Sequence, residues 1–323
     1  MYTHLTMEER EVISQRHFAG ESNCAIALRL GRSASTIGRE LARNAAADGT
    51  YSAWGAQQQA TARRRERPRL RKMDDPVTNT YVRMRLTQRW SPDQIAGRLR
   101  RKHLQDRRRQ VSHQTIYDWI KHHDDRAHWQ SLLRRGGRRR PSQDRRGKLP
   151  ASVSIAHRPR IVDTRRRFGD WEGDTVVGKR HCGGLVTLNE RKSGYLITRK
   201  VKDRTAHRVR RAITERLGGL PPKLRRTLTL DNGKEFSEHE AFATRLEMAV
   251  YFADPYKSWQ RGSNENINGL LRQFFPKGTD FREIGWQTVA NATDLINNRP
   301  RKRLGYRTPN EVLASHLGVA IET

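Results

Sequence analysis

The feature that most constrains the fold is residues 259–275, Trp-Gln-Arg-Gly-Ser-Asn-Glu-Asn-Ile-Asn-Gly-Leu-Leu-Arg-Gln-Phe-Phe. Its apolar side chains recur at the spacing of one helical face: Ile267, Leu270, Leu271 and Phe274. A second face carries a different row: Glu265, Asn268, Gly269 and Arg272. Gly262 breaks the preceding segment, and Ser263 or Asn264 can cap the helix. The stretch predicts an amphipathic helix with one carboxylate on its polar side, although an ordinary surface helix has the same pattern.

Two aspartates upstream lie in strand-like runs. Asp231 follows Arg226-Thr-Leu-Thr-Leu230, in which leucines alternate with polar residues, and an Asn-Gly pair stops the strand. Asp174 lies in a second such run, residues 168–178. The gap between the aspartates leaves room for two further strands and a helix. Two strand aspartates and one helix glutamate, Glu265, would supply converging oxygen ligands, which are the ligands that Mg²⁺ prefers.

Three short motifs carry a resemblance to a known superfamily: Trp171-Glu-Gly-Asp174, Asp231-Asn-Gly-Lys-Glu-Phe236 and Asn264-Glu-Asn-Ile-Asn268. In this order and at these spacings they resemble the signatures of DDE transposases and retroviral integrases. More narrowly, two stretches resemble the bacterial insertion-sequence transposases of family thirty: residues 259–278 and Asn298-Arg-Pro-Arg-Lys-Arg-Leu-Gly-Tyr-Arg-Thr-Pro309. The resemblance extends over nearly the whole chain.

The resemblance implies an enzyme that binds the terminal inverted repeats of an insertion sequence and then cleaves and transfers DNA strands. Its catalytic and metal-binding residues would be Asp174, Asp231 and Glu265, with two Mg²⁺ ions as cofactor and Mn²⁺ as a substitute. A homodimer or larger assembly is also implied, because two element ends must be held together. Two other interpretations stay open: a catalytically silent DNA-binding regulator of the same element, and a structure-specific DNA nuclease.

Residues close to the three carboxylates are further candidates. Asp170 and Glu172 share a strand face with Asp174, so either might be mistaken for the catalytic carboxylate. We expect Glu172 instead to contact DNA or the outer shell of a cation. Asn268 and Arg272 follow Glu265 by one and two turns, where they can position phosphates. A hydrogen bond and a salt bridge on the helix surface explain these two almost as well.

The charge of the chain indicates a polyanionic partner. Among 323 residues, 65 are lysine or arginine and 34 are acidic, which gives a net charge of +31. We expect double-stranded DNA rather than a membrane surface, because no apolar run approaches the roughly 20 residues that span a bilayer. The N-terminus lacks the apolar core of a signal peptide, which favours a bacterial cytoplasmic, nucleoid-associated protein. Two cysteines, Cys24 and Cys182, favour neither a disulfide framework nor a zinc finger.

The N-terminal residues predict a helix-turn-helix, which we assign to a domain of residues 1–60. Thr6, Ser22 and Ser33 are positioned to cap three helices, and Gly31 makes the turn before the third. The first helix would carry Val12, Ile13 and His17-Phe18, and Gly20 would end it. The exposed side of the third helix, residues 34–44, offers candidate DNA contacts: Ser35, Thr36, Arg39 and Arg43. Glu40 is expected on the same exposed side.

A second helix-turn-helix-like DNA-binding domain is predicted for residues 76–133, after a basic linker of residues 61–75. Ser91 and Ser112 are candidate helix caps. The helix after Ser112 would expose four candidate DNA contacts: His113, Gln114, Tyr117 and Lys121. Residues 134–167 are predicted to be a flexible basic linker that contacts DNA through Arg138, Arg139 and Arg140.

The remaining residues, 168–323, are predicted to form an α/β ribonuclease-H-like catalytic domain with C-terminal helices. Three strands in hairpins, near residues 170–179, 184–190 and 195–201, precede alternating helices and strands. The fourth and fifth strands are expected at residues 227–231 and 249–252. This order predicts a mixed five-stranded sheet with helices. Trp171, Trp259 and Trp286 are expected to be core residues.

Overall fold

The computed structural model describes residues 4–46, 48–66, 71–134, 149–254, 257, 260 and 262–319. The chain divides into two compact units, Met1–Arg71 and Lys72–Thr323. Trp259 and Arg138, Arg139 and Arg140 lie outside the described residues, so their predicted roles stay predictions. No described helix combines the length and the apolar character needed to cross a membrane.

The first unit is built from four helices: α1 (Met7–Phe18), α2 (Asn23–Leu30), α3 (Ala34–Asn44) and α4 (Ala53–Glu66). The side chains of Thr6, Ser22 and Ser33 cap the first three helices, as the sequence predicts. Gly31 adopts the left-handed conformation, φ 59°, at the turn between α2 and α3. Ile13 is fully buried with residues of α2 and α3.

Phe18, at the end of α1, is 96% exposed. Helix α4 continues to Glu66, so residues 61–66 of the predicted linker 61–75 are helical. One expectation for this unit is wrong. Glu40 does not lie on the exposed side of α3, since it accepts a hydrogen bond of 2.7 Å from the buried guanidinium of Arg10.

The second unit begins with four helices: α5 (Pro76–Thr87), α6 (Pro92–Lys102), α7 (His113–His122) and α8 (Arg126–Leu132). Ser91 and Ser112 cap α6 and α7, as the sequence predicts. Ile95 and Ile116 are fully buried in one core that the four helices share. The helices pack around apolar faces that repeat every three or four residues.

Residues 149–167, predicted to be the second half of a flexible linker, instead fold against the sheet. They contain a short 3₁₀ turn, Ile155–His157, and the one-turn helix α9 (Ile161–Thr164). The amide of Phe252 donates a hydrogen bond of 2.8 Å to the carbonyl of Val153. The guanidinium of Arg158, 8% exposed, donates a bond of 2.9 Å to the hydroxyl of Thr229. These buried contacts make this segment part of the catalytic fold.

The sheet has five strands: β1 (Asp170–Val177), β2 (Gly184–Glu190), β3 (Leu196–Val201), β4 (Thr227–Leu230) and β5 (Ala249–Phe252). Their order is β3-β2-β1-β4-β5. The first three strands pair antiparallel, whereas β4 is parallel to β1 and β5 is parallel to β4. This mixed topology confirms the predicted ribonuclease-H-like fold.

Helices cover both faces of the sheet. On one face α10 (Ala206–Gly218) and α11 (His239–Leu246) share a core with Trp171. On the other face lie α12 (Gly262–Leu271) and α13 (Trp286–Asn297). Trp171 is 1% exposed, as expected, but Trp286 is 74% exposed because it begins α13 outside the core, so that expectation is wrong.

The last helix, α14 (Pro309–Leu317), contacts α6 of the four-helix part. Arg98 and Glu311 form a salt bridge, and the hydroxyl of Tyr306 donates a bond of 3.2 Å to Asp93. The ring of Tyr306 lies so close to Gly97 that any side chain there would clash with it. These contacts join the second helical part to the C-terminal segment of the α/β part. The sequence analysis instead predicts two separate domains.

Candidate active site

The register of the sheet puts two of the expected carboxylates on neighbouring strands. In the parallel ladder of β1 and β4, Glu172 pairs with Thr229. Asp174 lies two residues beyond Glu172 on β1, and Asp231 lies two residues beyond Thr229, directly after the end of β4. Both aspartates are half-buried. The two acidic groups therefore lie on, and directly after, two adjacent parallel strands, and their convergence with Glu265 on one metal site stays a prediction.

Helix α12 is fastened to β1 by two asparagines. The backbone amide of Asn264 donates a bond of 3.1 Å to Glu172, and its side chain donates one of 3.0 Å to the carbonyl of Gly173. One turn later, the side-chain amide of Asn268 donates a bond of 2.8 Å to Asp174. Glu265 lies between these two contacts, exposed, in the first turn of the helix.

A fourth carboxylate, Glu235, lies near the two aspartates. The hydroxyl of Thr175, next to Asp174, donates a bond of 2.8 Å to Glu235. Arg204 forms a salt bridge of 3.1 Å with the same carboxylate. Gly233 permits this approach, since a side chain there would meet the carboxylates of Glu235 and Asp231. Glu235 thus ties the turn after Asp231 to β1.

The donor atoms of this region fit a divalent cation. Asp174, Asp231 and Glu265 offer hard carboxylate oxygens. Oδ1 of Asn268 is buried beside Asp174 and has no hydrogen-bond partner among the described residues, which suits a place where a cation or its water completes the site. Within the described ranges, however, no three His, Cys, Asp or Glu side chains lie close enough together to hold a metal ion. In the described part of the chain these three carboxylates therefore do not form a closed metal site.

Glu172 does not contact DNA as predicted. Its side chain is 0% exposed and forms a salt bridge with Arg191, which is itself 5% exposed. Because its other oxygen accepts the amide of Asn264, Glu172 anchors the start of α12. Asp170 is equally buried, 1% exposed, and is bound by Arg167. Neither side chain is accessible to a DNA strand in the described fold, and the catalytic role of Asp174 stays a prediction.

Comparison with known proteins identifies the family. The chain is 41% identical to the transposase for insertion sequence element IS4351 of Bacteroides fragilis, over 96% of this chain and 95% of that protein. It is 39% identical to the transposase for IS1086 of Cupriavidus metallidurans, over 98% and 96%. It is 37% identical to transposase InsI for IS30C of Escherichia coli K12, over 98% and 85%. The chain belongs to the IS30 family of transposases.

Two further comparisons concern parts of this IS30-family transposase. Residues 1–44 match the family model described as a helix-turn-helix domain, which agrees with α1–α3. Among solved structures, the catalytic core domain of BIV integrase matches with a TM-score of 0.38 and 20% identity, over 46% of this chain and 97% of that domain. The strand order of the sheet, and not this distant likeness, identifies the catalytic fold.

The predicted DNA-contacting residues of the helical parts lie on helix surfaces. Ser35, Arg39 and Arg43 are exposed along α3, and Thr36 is half-exposed. In the second unit, four residues are exposed along α7: His113, Gln114, Tyr117 and Lys121. These placements leave both helices of the transposase accessible, and the DNA contacts themselves stay a prediction.

Arg272 has local partners. Its guanidinium donates bonds of 3.1 Å to the carbonyl of Val177 and 3.2 Å to that of Pro276, which fixes the end of α12 to the end of β1. Burial lowers the pKa of Arg272 below its ordinary value. A phosphate contact by Arg272 stays a prediction.

The sequence interpretation missed Arg191, which neutralises Glu172, and Arg204, which binds Glu235. Arg191 directly follows β2, and Arg204 lies just after β3. A signal was present, because a carboxylate inside a buried strand requires a cation nearby. The sequence contains too many arginines for that requirement to select these two.

Proposed function

We propose that this transposase binds the terminal inverted repeats of its insertion sequence and cleaves and transfers DNA strands at Asp174, Asp231 and Glu265. One observation carries the proposal: Asn268 bonds Asp174 one turn from Glu265, while Asp231 directly follows β4, the parallel neighbour of β1. Carboxylates from three elements would then supply the oxygen ligands of one metal site.

The chain's own residues hold and orient the reacting groups. The three carboxylates would bind two divalent ions, Mg²⁺ or Mn²⁺, which activate an attacking oxygen and stabilise a leaving oxygen when bound. Water attacks a phosphorus at the element end, the bond from phosphorus to O3′ breaks, and a 3′ hydroxyl is released. That hydroxyl attacks a phosphorus of target DNA and displaces a new 3′ oxygen. Both displacements proceed without a covalent bond between protein and DNA.

Recognition is assigned to the two helical parts. Helix α3 presents Ser35, Thr36, Arg39 and Arg43 to one DNA segment, and α7 presents His113, Gln114, Tyr117 and Lys121 to another. Arg138, Arg139 and Arg140 add phosphate contacts. A homodimer or larger assembly would hold the two element ends together, and the bacterial nucleoid is the expected location.

Strand transfer on DNA that carries both element ends tests this proposal. We expect the wild-type chain to join ends to target DNA with Mg²⁺ or Mn²⁺. Glu265→Gln and Asp231→Asn should lose this activity to background because each removes a ligand charge, while end binding without metal stays within about twofold. Glu240→Gln, which alters an exposed residue of α11, is the matched control and should keep both properties.

The outcomes separate the alternatives. End binding by the wild type without strand transfer would support a silent regulator. Equal cleavage of DNA with and without the terminal repeats would support a structure-specific nuclease. If Glu265→Gln abolishes binding as well as transfer, Glu265 is a structural residue and the assigned site is wrong.

A further inference from the structure

A cavity of about 290 Å³ beside α12 is lined by basic side chains. We call it the arginine cavity, and its basic lining residues are Arg89, Arg134, Arg299, Arg301, Lys302 and Arg303. The remaining described lining residues are polar or apolar, and none is acidic. Four of the six basic residues belong to the segment 298–309, which the proposed catalytic role does not explain. No carboxylate stands among the described lining residues, so this concentration of positive charge favours an anionic ligand.

The floor of the cavity holds two buried guanidinium groups. Arg299 is 2% exposed and Arg301 is 9% exposed. Arg299 donates one bond, 2.7 Å to Gln273, but its Nε and Nη2 are buried without a partner among the described residues. Burial and the charges of Arg301, Arg134 and Arg89 lower the pKa of Arg299 to about 9. Leaving buried donors unpaired costs free energy, so these two nitrogen atoms favour a ligand that offers hydrogen-bond acceptors.

One wall of the cavity is the helix that carries Glu265. Arg134 donates a bond of 3.1 Å to the side chain of Asn266, the residue after Glu265. Its guanidinium also lies against Gly269, where a side chain would displace it. An anion in the cavity is therefore held against the same helix as the candidate catalytic glutamate.

The opposite wall shows backbone strain. Arg89 has φ 65°, a left-handed conformation that glycine adopts far more easily than other residues. Its guanidinium donates a bond of 3.0 Å to the carbonyl of Ser131 and lines the cavity. An arginine at a position that favours glycine indicates that its side chain has a use there.

We propose that the arginine cavity binds a phosphate group of a DNA backbone, with Arg299 and Arg301 beneath it and Arg134 and Lys302 at its exposed edge. The inference rests on the proposed function, since that function brings a DNA strand to α12. Planar guanidinium groups match phosphate oxygens with paired hydrogen bonds, which would satisfy the unpartnered donors of Arg299. The bound phosphate fixes the strand beside Glu265. The arginine cavity is thus a positioning site for substrate.

The salt dependence of DNA binding tests this assignment. We would measure the affinity of the full chain for a duplex of arbitrary sequence from 50 to 300 mM salt, because phosphate contacts do not depend on sequence. Each lost contact should reduce the slope of log affinity against log salt by about 0.9. Arg299→Gln and the edge variant Lys302→Gln should each show this loss. Arg245→Gln removes an exposed arginine from α11 on the other face of the sheet and should leave the slope unchanged.

Thermal unfolding separates a binding role from a structural one. Without DNA, Arg299→Gln should melt at the same temperature as the wild type or higher, since it removes a buried and unpaired charge. Inorganic phosphate, compared with chloride at equal ionic strength, should raise the melting temperature of the wild type but not that of Arg299→Gln. A lower melting temperature for Arg299→Gln together with an unchanged slope would make Arg299 structural and overturn the proposal.

The remaining outcomes also decide the matter. If phosphate stabilises the wild type but neither variant changes the slope, the cavity binds free phosphate and the DNA assignment is wrong. If Arg299→Gln does not fold, the salt slope of Lys302→Gln tests the proposal alone, and an unchanged slope overturns it. If the wild type transfers strands but Arg299→Gln and Lys302→Gln keep the full salt slope, the proposed function stands and this inference is overturned. A wild type that binds no DNA would overturn the proposed function.

Discussion

Asn268 donates a hydrogen bond of 2.8 Å from its side-chain amide to the carboxylate of Asp174. The bond joins α12 to β1 one turn after Glu265. It therefore sets the position of the helix glutamate relative to the strand aspartate. Its bond to Asp174 makes Asn268 a positioning residue for that carboxylate, and the predicted contact with DNA phosphates stays a prediction.

Replacing Asn268 with alanine should reduce the affinity for the divalent ion more than it reduces the stability of the fold. The change removes a donor that orients Asp174, and loss of such outer contacts typically costs roughly 10–100-fold in metal affinity or activity. A titration of strand transfer with Mn²⁺ should show a higher half-saturating concentration. Asn291→Ala, an exposed asparagine on α13, is the matched control. An unchanged titration curve for Asn268→Ala would contradict the positioning role.

Replacing Arg191 with glutamine should strongly destabilise the second unit. Glu172 is 0% exposed and forms a salt bridge with Arg191. Removing one partner of a buried pair leaves an uncompensated charge and typically costs about 3–5 kcal/mol. Urea unfolding of the full chain would measure the loss in free energy of unfolding.

The control for this prediction is an exposed pair, Arg211 and Glu215 on α10, whose side chains are 72% and 37% exposed. Arg211→Gln should change the stability little, because solvent screens such pairs. The double variant Glu172→Gln with Arg191→Gln should regain part of the stability by removing both charges. No recovery would mean that Arg191 acts through its packing and its bond to the carbonyl of Val162 rather than through charge.

The elements that could be predicted from the sequence are those with local signals. Ser and Thr caps, a glycine turn and apolar periodicity sufficed for α1–α3 and for the bounds of β2 and β5. The position of Asp174 within β1 and that of Asp231 directly after β4 followed from two strand-like runs in the sequence. These signals are local because capping and strand alternation involve residues only a few positions apart.

What could not be predicted depends on contacts between distant parts of the chain. Residues 149–167 are basic and polar, which indicates a linker, yet a buried bond from Arg158 to Thr229 holds them to the sheet. The contact of Gly97 with Tyr306 joins α6 to a segment far along the sequence. Nothing in the local sequence around Gly97 or around Tyr306 indicates that the two residues are in contact.

The contact between α6 and α14 should weaken in acid. Burial raises the pKa of Glu311, but hydrogen bonds from Arg98 and Thr308 and the charges of Arg98 and Arg307 outweigh it, so the pKa lies below its ordinary 4.5. A carboxylate with a lowered pKa in the folded state contributes stability above about pH 4.5, and that stability is lost as the pH falls through the folded pKa. In thermal unfolding, the melting temperature of the wild type should be higher than that of Glu311→Gln at pH 6. This difference in melting temperature should shrink towards pH 3. A constant difference would contradict the ionic role of Glu311.

Replacing Gly97 with alanine should separate α6 from Tyr306. In an open helix this change stabilises by roughly 0.5–1 kcal/mol, but here the new methyl group would overlap a rigid tyrosine ring. Forced overpacking typically costs about 1–3 kcal/mol, so urea unfolding should show a net loss. In a chain that already carries Tyr306→Ala, Gly97→Ala should increase the free energy of unfolding, because the ring that it would overlap is gone. Gly38→Ala in α3, where the new atom has ordinary contacts, should not destabilise. If both single glycine variants behave alike, the docking of α14 on α6 does not persist in solution.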